Sequence, residues 1–187
     1  MPKTFKSATN AFYSSSTGTG AALTGTTPTI MSAVQLPILR AGDFIELEAV
    51  GTITGDGHAD LALFNLLSLS PTDLNGADMG GSTYIAPAPT TFGQFWLRKV
   101  TQITAMGPSS GSGGGIGICC YVSTNPVFPA EPFRGDAYGF AGSPNANNTQ
   151  RCYWKIMGAW NTAGTGLSAQ VTLVNVRVNQ SARALLV

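Results

Sequence analysis

Polar and apolar residues alternate along this chain with a period of two, not 3.6. In Asp43–Thr54, Ile45, Leu47, Ala49 and Ile53 fall on one side, with Glu46, Glu48 and Thr52 on the other. Gly93–Met106 puts Phe95, Leu97, Thr101, Ile103 and Ala105 on one side and Trp96, Arg98, Val100, Gln102 and Thr104 opposite. Arg151–Trp160 groups Cys152, Trp154, Ile156 and Trp160, and Leu167–Asn179 groups Thr172, Val174, Val176 and Val178. Ala59–Leu67 alternates for its first half and then becomes a continuous apolar run. Thr29–Leu36 and Gly115–Ser123 are shorter strand candidates, with weaker ones at Ala22–Thr27 and Ser82–Ala86. The pattern predicts roughly seven to nine strands and no amphipathic helix.

Turn residues lie between these runs. Pro37, Pro71, Pro87, Pro89 and Pro108 break them, and Asp56-Gly57 reads as a hairpin turn joining two strong strands. Many strands joined by Gly- and Pro-rich turns imply an antiparallel β-sandwich or barrel. Three segments stand apart. Residues 1–20, rich in Ser, Thr and Gly from Thr4 onward, read as an extended N-terminal arm preceding one domain over 21–187. Ser109–Gly115 reads as a flexible loop tip. Asn125–Thr149 reads as a connection of about 25 residues, a length that in a compact domain usually serves function.

The chain has 187 residues, enough for one large sandwich with a well-buried core. Only 10% are charged, against about 25% in an average globular protein, and the net charge is +1. A surface this neutral suits faces covered by neighbours in an assembly, and it supplies no field to draw in nucleic acid. The basic residues that exist cluster at the ends: Lys3 and Lys6 near the start, Arg177 and Arg183 near the finish. No window is long and apolar enough to span a membrane, and the opening MPKTFKSATNAF lacks a signal-peptide core, so export by that route is not expected. Three cysteines, Cys119, Cys120 and Cys152, do not make a disulfide framework; they read as reduced thiols, with a bridge from Cys152 to one of the pair left open.

Motifs for chemistry fail one by one. His58 is the only histidine, and no G-x-S-x-G elbow accompanies it, so the expectation is a solvated turn residue and no enzyme. Asp56, His58 and Asp60 could hold a cation only loosely, because their spacing lacks the further oxygen ligands of a calcium loop. The glycine run SSGSGGGIG fits neither phosphate-binding signature. Glu46 with Glu48, sharing one side of a strand, are explained by a solvated sheet face, and Asp73 with Asp78 carry no further sign of a glycosidase pair. The sequons at Asn147 and Asn179 read as chance matches, and no cofactor is expected. Trp96, Trp154, Trp160, Phe92, Phe95, Tyr121 and Tyr153 lie in or beside strands, where core packing is the first expectation. Phe128, Phe133, Tyr138 and Phe140 fall in the long connection, where aromatics make good intermolecular anchors.

The stretch Leu23–Phe44, LTGTTPTIMSAVQLPILRAGDF, resembles the opening of jelly-roll domains in structural proteins of tailed bacteriophage particles. There an L-T-G-T-T-like run and a strand lead through a Pro-x-x-x-Ala-Gly turn, here Pro37 to Gly42, into a long alternating strand. The layout extends over most of residues 21–180, although the Asn125–Thr149 insertion is no part of it. The resemblance implies a jelly-roll sandwich in the virion: a head decoration or cement protein, or the head of a tail fibre, and commonly a homotrimer. The implied partners are the major capsid protein or other virion subunits, with a receptor- or carbohydrate-binding module as the alternative. The expected contact residues are Lys3, Phe5, Lys6, Phe12 and Tyr13 in the arm, Phe128, Phe133, Tyr138 and Phe140 in the long connection, and Arg183 at the end.

Overall fold

The computed structural model describes residues 11–17, 22–78, 83–85, 92–106, 111–123, 134–141 and 151–179, with side chains over 22–76, 92–105 and 151–179. Within them the chain is all-β, without a helix: β1 (Ala11–Thr17), β2 (Thr29–Ile38), β3 (Phe44–Thr54), β4 (Leu61–Ser68), β5 (Ala77–Asp78), β6 (Thr83–Ile85), β7 (Gly93–Met106), β8 (Gly111–Ser123), β9 (Arg134–Ala141), β10 (Arg151–Trp160) and β11 (Ser168–Asn179). The strands form two antiparallel sheets. One has the order β1-β11-β3-β7-β8-β9; the other runs β2-β10-β4-β5, with β6 also pairing to β4.

The core is the layer between the sheets. The six-stranded sheet supplies Ile45, Leu47, Phe95, Leu97, Val174 and Val176, and the five-stranded sheet supplies Met31, Leu36, Leu63, Leu67, Trp154 and Trp160. Each such side chain contributes about 1.5–3 kcal/mol on leaving water. The two tryptophans keep their indole N–H groups satisfied: Trp160 donates to the Leu23 carbonyl and Trp154 to Asn65 Oδ1. Lys99 also sits on the core-facing side of β7, fully buried between Leu97 and Thr101. Gly51 is required where it stands, because a Cβ there would collide with the tip of the Phe95 ring and with the Gln170 carbonyl.

Several expectations change. Asp56-Gly57 does not close a hairpin: β3 and β4 belong to different sheets, and residues 55–60 carry the chain across the sandwich. Gly57 takes positive φ there, while Asp56 Oδ1 accepts the N–H groups of His58 and Ala59. Pro37 lies inside β2 and not after it, which is tolerated because β2 is an edge strand. The glycine-rich segment is not a loop tip from Gly111 on: it is the start of β8, paired on both sides. The long connection contains β9, and Ala11–Thr17 of the expected arm is strand β1, paired along its length with β11. Ala22–Thr27 forms no strand; only Leu23 bridges to Ala169.

Two bulges shift the alternation. Between Val171 and Leu173 one extra residue, Thr172, turns outward and donates its hydroxyl to the Val50 carbonyl at 3.0 Å. Thr172 is therefore exposed and does not join the core row of Val174, Val176 and Val178. A second shift between Ile103 and Ala105 exposes Ala105, although alternation assigns it to the buried side. Cys152 is a free, buried thiol.

Candidate functional site

The side of β3 that faces away from the core belongs to a surface shared with β11 and β7. Four cross-strand rows run over β11, β3 and β7: Leu173–Val50–Trp96, Asn175–Glu48–Arg98, Arg177–Glu46–Val100 and Asn179–Phe44–Gln102. The register continues each row into β1, at Thr17, Ser15, Tyr13 and Ala11, and into β8, at Cys120, Ile118, Ile116 and Gly114. The alternation of β3 puts these residues on one surface, and the Thr172 bulge turns Leu173 onto it.

Two features distinguish this face from a plain solvated one. Leu173, 37% exposed, stands beside half-buried Val50 and Trp96, and Phe44, 42% exposed, stands at the other end of the face, three rows away. The polar groups are tied to one another rather than free. Trp96 Nε1 donates to Glu48 Oε1 at 2.7 Å, Arg98 lies 4.0 Å from Glu46 Oε2, and Arg177 Nε donates to Asn179 Oδ1 at 3.0 Å. Trp96 and Arg98 each reach the glutamate one diagonal step from their direct partner, Glu48 in place of Val50 and Glu46 in place of Glu48. The described residues of the face carry two glutamates and two arginines, which balance to zero. Such a surface has no bias toward a polyanion and suits a protein or another neutral partner.

The sequence-derived contact residues do not converge. Phe12 and Tyr13 lie on β1, in register with buried Val178 and exposed Arg177. Tyr138 and Phe140 lie on β9, in register with Gly115 and Gly113 of β8. These strands are opposite edges of the six-stranded sheet, five spacings or about 24 Å apart. Lys3, Phe5, Lys6, Phe128, Phe133 and Arg183 lie outside the described residues.

The turn containing His58 is engaged structurally. Asp56 is held below the ordinary carboxylate value, first by the Ala59 N–H and then by that of His58. Asp60 and Asn161 exchange a pair of 2.9 Å bonds, Asn161 Oδ1 accepting the Asp60 N–H and Asn161 Nδ2 donating to Asp60 Oδ2. That exchange pins the β3–β4 crossing to the β10–β11 turn. Among the described residues no group of three His, Cys, Asp or Glu side chains is arranged to hold a metal ion.

No protein-family model matches the chain, and no curated protein matches it.

Proposed function

We propose that this chain is a structural subunit that works by surface contact, and specifically a decoration or cement protein of a bacteriophage head. The observation that carries the proposal is the exposed face of the six-stranded sheet, where Phe44 and Leu173 stand in water beside a charge-balanced, internally bonded set of polar groups. Apolar residues within a neutral polar surround are the composition of a protein–protein contact. The low charge of the whole chain points the same way.

The jelly-roll reading draws support from the strand pairings. With the β8–β9 hairpin set aside, and β5 and β6 taken together as one interrupted strand, the first strand pairs with the last (β1 with β11). The second pairs with the next to last (β2 with β10), the third with the one before (β3 with β7), and β4 with β5 and β6. That nesting is what a long hairpin gives when rolled into two sheets. In this proposal Lys3, Phe5 and Lys6 are among the residues that contact neighbouring subunits, and the assembly is a homotrimer on the particle surface. Mass spectrometry of gradient-purified phage particles tests the reading: the chain should be present at a fixed copy number per head. Its absence from every particle fraction would refute it.

A second reading, a carbohydrate-binding module, is favoured by Trp96, half-buried on the exposed face with its indole N–H held by Glu48. Trp154 and Trp160 are buried in the core and cannot serve. Glycan-array binding that disappears in Trp96→Ala would favour this reading over the first.

A further inference from the structure

We propose that Asn75 is a site of spontaneous deamidation, assisted by the side chains of Asp73 and Lys155. The segment Pro71–Gly76 is exposed throughout and ends in Asn75-Gly76, where glycine offers no Cβ to hinder attack by its own nitrogen. Glycine is required at this position for another reason, since a Cβ there would lie 2.7 Å from the Leu67 carbonyl oxygen. The fold therefore keeps the most reactive dipeptide for this chemistry on its surface.

Two further contacts act on the reacting atoms. Lys155 is fully buried under this segment, and its Nζ donates to the carbonyl of Asp73 and, at 2.9 Å, to that of Asn75. The Asn75 carbonyl belongs to the peptide whose nitrogen is that of Gly76. A cation on that oxygen stabilises the deprotonated amide and so raises the nucleophilicity of the attacking nitrogen. At the other end, Asp73 Oδ1 accepts the Asn75 backbone N–H and its side-chain Nδ2, both at 2.9 Å. The carboxylate therefore rests on the leaving nitrogen, where it can pass on the proton lost by the Gly76 amide.

In the reaction, the Gly76 nitrogen bonds to Asn75 Cγ, the Cγ–Nδ2 bond breaks, and Nδ2 departs as ammonia with that proton. The resulting succinimide takes up one water at either carbonyl, giving aspartate or isoaspartate at position 75. The isoaspartate product puts a methylene into the main chain beside Gly76, whose neighbour Ala77 pairs with Leu67 at the edge of the five-stranded sheet. The modification would mark, and loosen, that edge with time.

The test incubates the full chain at neutral pH and physiological temperature beside a synthetic peptide of residues 70–78. Peptide mapping follows the gain of about one mass unit at position 75, and an isoaspartyl methyltransferase assay identifies the isomer. The folded chain should react faster than the peptide, and Asp73→Ser and Lys155→Met should each slow it by roughly threefold or more. A folded chain that reacts no faster than the peptide, or at an unchanged rate in Asp73→Ser, overturns the proposal. Asp73 is exposed, so this variant decides the question even if Lys155→Met fails to fold.

Discussion

Trp96 donates its indole N–H to Glu48 across the β3–β7 pair, although its direct cross-strand neighbour is Val50. The bond bridges a diagonal of the exposed sheet face, and the Arg98–Glu46 approach repeats it one step along. Two parallel diagonals bias four side chains toward one arrangement, which in the proposed contact would reduce the conformational freedom lost on binding.

Being at the surface, the bond should matter little to folding. Trp96→Phe is expected to lower stability by no more than about 1 kcal/mol in urea unfolding, because exposed pairs are weak against water. A larger loss would make Trp96 a structural residue and not a contact residue.

The interior should be far less tolerant. Gly51→Ala pushes a methyl group into the Phe95 ring and the Gln170 carbonyl, and should cost about 1–3 kcal/mol or more by overpacking. Gly25→Ala is the matched control, since its Cβ would meet nothing within 4 Å. Equal urea midpoints for the two variants would contradict the packing described.

Lys155 predicts a pH dependence. Burial pushes its ammonium below the ordinary 10.5, and the nearby Asp73 carboxylate partly offsets this. In the window between the lowered value and 10.5 the folded chain binds fewer protons than the unfolded chain, so stability should rise as pH climbs through it. Lys155→Met should remove that rise, as measured by the difference in urea midpoint between wild type and variant from neutral pH upward.

Cys152 should be inert. Desolvation pushes its thiol up to about 11, and no thiolate is available near neutral pH. Alkylation followed by peptide mapping should label Cys152 only after unfolding. Labelling in the folded state would show the core open at β10.

How much of this was legible in the sequence depends on the physical range of each signal. Alternation marked β3, β7 and β11 with small boundary errors, because one face of each is buried and the other is largely not, and it marked β10 although 154–160 of that strand are buried on both faces. It failed at Thr172 and Ala105, where a single inserted residue reverses the phase and leaves no trace in composition. It missed β1 and β9, which lie in Ser-, Gly- and Pro-rich stretches and are defined by their partners β11 and β8. The candidate face was half visible. Glu46, Glu48 and Arg98 were assigned to exposed sides of their strands, whereas Trp96, on the same side as Arg98, was first expected to pack in the core; their meeting depends on the β3–β7 register, a long-range property. Leu173 became a surface residue only through the bulge at Thr172.

The most direct test of the contact proposal is co-sedimentation of the purified chain with phage heads lacking it. A double variant, Trp96→Ala with Arg98→Glu, is measured in parallel after its fold is verified by circular dichroism. The wild type should bind to saturation at a fixed number per head, and the folded variant should lose most of that binding. Failure of the wild type to bind, or equal binding by the variant, would contradict the account.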